Sequence, residues 1–156
     1  MNNEKKFILT KELGRLAKWL RIFGFDSVYF NSSKVSSLKI LALRENRIVL
    51  TRSHWFEKEK HIKVIMLESE HLTEQLRQII IKLALKIDEF AMFSRCTVCN
   101  TLLEQTPKEK IKDKIPEDVY NSQNVFNVCP QCKRAYWQGT HLDNVARVIE
   151  EIRDRK

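Results

Sequence analysis

Phe7-Ile8-Leu9-Thr10-Lys11-Glu12-Leu13-Gly14-Arg15-Leu16-Ala17-Lys18-Trp19-Leu20-Arg21-Ile22-Phe23-Gly24 is the stretch that decides the architecture. Phe7-Ile8-Leu9 follows a charged start and is apolar at every position, which predicts a buried strand. Over residues 12–23, Leu13, Leu16, Ala17, Leu20 and Phe23 recur at helical spacing. Arg15, Lys18, Trp19 and Arg21 take the opposite positions, so the segment predicts an amphipathic helix with a basic outer side. Gly24 ends it, as a residue tolerant of the left-handed C-cap conformation should.

Working outward, the same alternation repeats. Val28-Tyr29-Phe30 predicts a second strand. Ser36 or Ser37 caps a helix running to about Asn46, with Leu38, Ile40, Leu41 and Ala42 apolar. Ile48-Val49-Leu50 predicts a third strand that ends at Thr51-Arg52-Ser53, followed by a short helix near 54–60. Ile62 and Val64-Ile65-Met66-Leu67 predict a fourth. A long helix over about 70–87 follows Ser69, with Leu72, Leu76, Ile79, Ile80, Leu83 and Ile87 inward. Glu70 and Glu74 near its start and Lys82 and Lys86 near its end suit the helix dipole. Uniformly apolar strands alternating with helices imply an α/β fold, a parallel sheet flanked by helices with right-handed crossovers. In such a sheet, chemistry gathers outside the carboxyl ends of the strands. Those ends carry Thr10-Lys11-Glu12, Asn31-Ser32-Ser33-Lys34, Thr51-Arg52-Ser53-His54 and Glu68-Ser69-Glu70.

The chain has four cysteines, in two matched pairs, Cys96-x2-Cys99 and Cys129-x2-Cys132. A Cys-x2-Cys turn brings two thiolates to one metal, and two such knuckles complete a tetrahedral four-cysteine site for structural Zn²⁺. Iron can take the same ligands. Disulfides are the competing use of these residues, but the start Met1-Asn2-Asn3-Glu4-Lys5-Lys6 has no apolar core of a signal peptide. No apolar run reaches the length of a membrane span. The expected setting is therefore the reducing cytoplasm, without membrane partners, where paired Cys-x2-Cys motifs serve metals. Strands flanking the knuckles make a zinc ribbon: Leu102 and Leu103 leave the first, 125–128 enter the second and Tyr136-Trp137 leave it. Trp137 is expected to pack over the metal site. Val145, Val148, Ile149 and Ile152 predict a closing helix. The expected organisation is an α/β domain over 1–92, the zinc ribbon over 93–141 and the C-terminal helix over 142–156.

Charge is the remaining global signal. The formal net charge is +8, and residues 1–63 hold 14 Lys and Arg against 6 Asp and Glu. Residues 96–156 are nearly balanced, at 10 against 9. A one-sided basic excess fits a polyanionic partner, nucleic acid first among them, though a basic soluble surface has the same composition.

Several segments, taken together, resemble the PIN-like ribonuclease family with a C-terminal zinc ribbon, the mutator-seven C-terminal RNase domain family. In the front part they are Leu13-Gly14-Arg15-Leu16-Ala17-Lys18-Trp19-Leu20-Arg21, Phe23-Gly24-Phe25-Asp26 and Arg47-Ile48-Val49-Leu50-Thr51-Arg52. In the back part they are Ser94-Arg95-Cys96, Cys99-Asn100, Cys129-Pro130-Gln131-Cys132 and Tyr136-Trp137-Gln138-Gly139-Thr140-His141. The resemblance runs nearly the whole chain, in order. It implies a PIN fold and phosphodiester hydrolysis with Mg²⁺ or Mn²⁺, which needs carboxylates clustered at the strand ends.

The chain departs from that pattern where the chemistry would sit. The resemblance leads one to expect acids at Thr10, near Ser33 and at Ser53, and all three positions are neutral, with Lys34 adjacent. Glu12 and Glu57 are the only candidates to replace them, and both read as solvated helix residues. Mg²⁺ and Mn²⁺ are therefore not expected cofactors. Loss of carboxylates from a basic cleft favours phosphate, and Arg15, Lys18, Arg21, Lys34 and Arg52 are the candidate RNA-backbone contacts. Trp19 and Trp55 are candidates for base stacking, against core packing. The sequence thus points to a ribonuclease-like protein that binds RNA or a ribonucleoprotein without metal-dependent cleavage. Two alternatives stay open. One is an active Mg²⁺- or Mn²⁺-dependent endoribonuclease with relocated carboxylates. The other is a module that docks a protein partner through the zinc ribbon.

Overall fold

The run Phe7-Ile8-Leu9 is the centre of β1 (Lys6–Thr10), and all three residues are fully buried. The computed structural model describes residues 4–139 and 141–154, His141 by its backbone alone. β1 is joined by β2 (Asp26–Phe30), β3 (Ile48–Thr51) and β4 (Val64–Met66) in one parallel sheet of order β2-β1-β3-β4. β1 pairs with β2 on one side, Thr10 opposite Phe30, and with β3 on the other, Leu9 opposite Leu50. The chain therefore reverses its direction of winding between β1 and β3. In open parallel sheets a ligand crevice lies at the carboxyl ends of such a strand pair.

Side-chain alternation along the strands explains how helices cover the sheet. Ile8 and Val49 face a cluster with Leu38 and Ala42 of α2 (Val35–Glu45) and with Phe56 and Ile62. Phe7, one residue out of phase with Ile8, meets Phe25 edge-on with ring centroids 5.9 Å apart. α1 (Gly14–Ile22) and α3 (Leu72–Leu83) pack against each other. A 3-10 turn over Lys11–Leu13 precedes α1, and another over His54–Phe56 replaces the short helix expected near 54–60.

α3 is shorter than the expected 70–87. Ala84 adopts a left-handed conformation at φ 50°, and the N–H of Leu85 donates back to the carbonyl of Ile80 at 3.0 Å. This is the geometry of a Schellman cap, and Leu85 is buried just after it. Burial of Leu85 ends the helix, and the apolar periodicity through Ile87 conceals that end.

Gly24 has a stricter requirement. Its φ is +91°, and a Cβ there would lie 2.3 Å from the carbonyl oxygen of Ala91. The chain over 91–95 passes directly across this turn, with the Phe93 N–H donating to the carbonyl of Ile22 at 2.8 Å. Gly24→Ala is expected to cost about 1–3 kcal/mol from backbone strain alone, with the Ala91 clash in addition. Urea unfolding of the variant checks this, and an unchanged midpoint refutes it.

The structure divides into two compact units, Met1–Asn100 and Thr101–Lys156. The first knuckle therefore closes the α/β unit. The second unit holds an antiparallel sheet of order β5-β6-β7, from β5 (Glu104–Thr106), β6 (Phe126–Val128) and β7 (Ala135–Tyr136). α4 (Glu117–Ser122) and α5 (His141–Asp154) complete it. One core cluster is Ile111, Ile115 and Phe126, with Val119, Tyr120, Val128, Ala135 and Trp137 packed on them, and Val145, Val148 and Ile152 of α5 are buried as well. Trp137 meets the Phe126 ring at 6.2 Å, so it belongs to this core. The strand expected at Leu102 and Leu103 starts later, at Glu104, and Leu102 is exposed. Thr140, the His141 side chain and residues 155–156 lie outside the described residues.

Candidate nucleic-acid face and metal centre

At the switch point between β1 and β3 the two strand ends are bridged by side chains. The Thr10 hydroxyl donates to Glu12 Oε1 at 2.6 Å and lies 2.9 Å from the Thr51 hydroxyl. Glu12 Oε1 also accepts the Arg52 N–H at 2.9 Å and faces the Thr51 hydroxyl at 3.4 Å. The Ser53 N–H donates to the Thr51 hydroxyl at 3.0 Å. Glu12 is exposed and lies in a short helical turn, as its position two beyond the strand suggests, but its Oε1 is engaged by the strand ends rather than by solvent alone. The 3-10 turn folds it back over the strand ends, a detour that helical periodicity does not encode. Burial pushes its carboxyl up, but the hydrogen bonds from Thr10, the Arg52 N–H and Thr51 outweigh this and hold it below the ordinary carboxylate range.

No second acid converges on Glu12 into a ligand group. Among the described residues, the one cluster of three or more His, Cys, Asp or Glu able to meet at one ion is the cysteine quartet. Glu57, the other replacement candidate, is hydrogen-bonded to His54 Nδ1 on the exposed turn. Ser33 is exposed, and Ser53 caps the turn by accepting the Trp55 N–H at 3.4 Å.

Four of the five basic candidates, Arg15, Lys18, Lys34 and Arg52, are exposed. Arg21 is not. It is 8% exposed, and its guanidinium donates to the carbonyls of Ser27 at 2.9 Å, Thr97 at 2.8 Å and Val98 at 3.1 Å. It turns inward to hold the first knuckle, so it is not available as an RNA contact. The tryptophans divide likewise: Trp19 is core at 6% exposure, while Trp55 is 81% exposed.

At the amino ends of the strands lies a polar network that sequence reasoning misses. Arg47 Nη1 donates to Asp26 Oδ1 at 2.7 Å and to the Phe7 carbonyl at 3.1 Å, and its Nε is bonded to Glu45. Asn100 donates to the same Asp26 oxygen at 2.7 Å and accepts the Ser27 N–H at 2.9 Å. Arg95 donates to the carbonyls of Gly24 at 3.2 Å and Asn100 at 2.9 Å. Burial pushes the Asp26 carboxyl up, but hydrogen bonds from Arg47 and Asn100 and the charges of Arg47 and Arg95 pull it below its ordinary value. Asp26, Arg47, Arg95 and Asn100 all belong to the segments quoted for the family resemblance. That membership is the one available signal, and it points to structure.

The knuckles share one backbone design. Asn100 and Lys133 follow the second cysteine of each pair at φ 66° and 67°. Their N–H groups donate to the carbonyls of Cys96 and Cys129, both at 2.9 Å. The N–H of Cys99 points at Cys96 Sγ at 3.3 Å, and that of Cys132 at Cys129 Sγ at 3.4 Å. The ligand atoms of all four cysteines lie within 4.8 Å of one another. Four convergent sulfurs, two of them supported by backbone N–H groups, are compatible with a structural zinc site.

The family model described as the Mut7-C RNAse domain matches residues 5–149. Searches of curated proteins and of solved structures returned no significant match.

Proposed function

The chain belongs to the Mut7-C RNAse domain family, and on that premise we propose that it binds RNA at the carboxyl ends of its parallel sheet without metal-dependent cleavage. The observation that carries this reading is the state of Glu12. Its Oε1 is taken up by Thr10 and the Arg52 N–H, with Thr51 close by, and no other carboxylate joins it in a ligand cluster among the described residues. Hydrated divalent cations take several oxygen ligands, and two-metal hydrolysis needs them shared between ions. One carboxylate engaged by the protein does not meet that need. Lys34 and Arg52 at the strand ends, with Arg15 and Lys18 on α1, offer charge to phosphates instead.

The metal at Cys96, Cys99, Cys129 and Cys132 is, in this proposal, zinc in a structural role, in a reducing compartment such as the cytoplasm. Among the described residues no helix is long and apolar enough to cross a membrane.

Binding driven by phosphate contacts weakens with salt, by a log–log slope of roughly −0.7 per contact for single strands. Affinity for an RNA oligonucleotide is expected to fall steeply as salt rises, and Lys34→Glu and Arg52→Glu are expected to weaken it further. Added Mn²⁺ is expected to yield no cleavage products. A second reading, the endoribonuclease with a relocated carboxylate, is favoured by the place Glu12 occupies across β1 and β3. Mn²⁺-dependent products that vanish in Glu12→Gln establish that reading and overturn the first. Absence of RNA affinity at low salt leaves the protein-docking alternative.

A further inference from the structure

Trp55 is built into the fold in an unusual way. Tryptophan is among the residues most buried on average, yet this one is 81% exposed. It is not on a loose tail. It sits in the 3-10 turn His54–Phe56, immediately after the carboxyl end of β3. Ser53 caps that turn by accepting the Trp55 N–H. The next residue, Phe56, is 3% exposed and anchors the turn in the core beneath α2. Successive residues of a 3-10 turn project about 120° apart. Burial of Phe56 therefore turns the Trp55 indole outward and fixes its base.

The charge of the segment 52–60 is unevenly engaged. The two acids of the segment are engaged, Glu57 with His54 and Glu59 with Lys39. Arg52, Lys58 and Lys60 are exposed, and no ion pair among the described residues engages them. An exposed aromatic face on a segment that also carries exposed cations suits a ligand that offers a flat ring and a phosphate together.

We infer that Trp55 is a stacking platform for an unpaired nucleobase, and that the ligand of this face is single-stranded RNA. The inference rests on the reading of the strand ends as an RNA-binding surface. In a duplex each base face is already covered by its neighbours, so an indole on a surface turn reaches a base only in a single strand or loop. The cations then follow the backbone while Trp55 takes one base.

The test measures affinity of the full-length chain at low salt for single-stranded oligoadenylate and for the duplex formed with oligouridylate. Trp55→Ala is expected to weaken oligoadenylate binding by about tenfold or more, with Trp55→Phe retaining most of it. Duplex binding is expected to be unchanged by either substitution. Because the side chain is exposed, both variants are expected to keep the native melting temperature. Equal oligoadenylate affinity in Trp55→Ala and the parent overturns the stacking assignment while leaving RNA binding in place. An equal loss on both RNAs overturns the single-strand assignment. If the parent binds neither RNA, the reading of the whole face fails, and the role of Trp55 fails with it.

Discussion

Withdrawal of the metal proposed for the cysteine quartet is expected to unfold the Thr101–Lys156 unit while the parallel sheet keeps its structure. The reason lies in the size of the cores. The parallel sheet has fully buried strand residues on both faces, including Phe7, Ile8, Leu9, Val49 and Leu50. The second unit has strands of two or three residues, and its buried apolar residues are few: Ile111, Ile115 and Phe126, with Val145, Val148 and Ile152 of α5. A core of that size rarely stabilises a small unit alone, and a structural metal contributes an apparent binding free energy on the order of 10 kcal/mol. Each knuckle also holds a non-glycine residue, Asn100 or Lys133, in the left-handed region. That conformation is unfavourable for a lysine without enforced closure of the turn.

The purified chain is therefore expected to carry one zinc per molecule and to be colourless. A strong chelator is expected to release the metal and to collapse the amide dispersion of residues 101–139. Cys129→Ser is expected to do the same without chelator. Metal release with unchanged amide shifts in that segment would show that the quartet is not structural. Visible charge-transfer absorption would assign iron.

What is legible in the sequence follows from the kind of signal each feature leaves. Strands of a helix-covered parallel sheet leave short apolar runs, so β1, β2, β3 and β4 can be read within a residue or two, although the edge strand β2 is fully buried only at Ser27. Cysteine spacing is local, so the quartet can be read from the chain alone. Long-range polar contacts leave no period. Arg21 falls on the basic side of a helical wheel, but a wheel gives the direction of Cβ and says nothing of where a long guanidinium ends. It ends on Thr97 and Val98, some 76 residues away in the chain. Glu12 is legible as an exposed residue of a helical turn, but its contact with Arg52, 40 residues on, leaves no local signal. Asp26 and Arg47 leave no signal of their own because each looks like an ordinary surface charge near a strand start.

Those two residues carry the second large prediction. Arg47 is nearly buried, with 8% of its side chain exposed, against 17% for Asp26. Its donors serve Asp26, Glu45 and the Phe7 carbonyl at once. Removal of one partner of a buried pair leaves the other charged and unpaired, which costs about 3–5 kcal/mol. Arg47→Ala is accordingly expected to lower the melting temperature by on the order of 10 °C. An exposed control such as Arg15→Ala is expected to change it little. The pH dependence has a definite sign. Asp26 is held below its ordinary value of 3.8, so its folded form binds its proton less readily than its unfolded form. Its contribution is complete above that ordinary value and is lost as pH falls through the lowered folded value. Glu12, held below 4.5, acts in the same direction. Acid also protonates thiolates and would release a metal held by them, so the parent alone cannot isolate the effect. The difference between the parent and Asp26→Asn at matched pH does isolate it. That difference is expected to be constant from neutral pH down to about 5 and to shrink below about 4, as the parent loses the carboxylate that the variant never had. A gap that stays constant to the acid limit refutes the role of Asp26 as the buried counter-charge that joins Arg47, Asn100 and the first knuckle to the sheet.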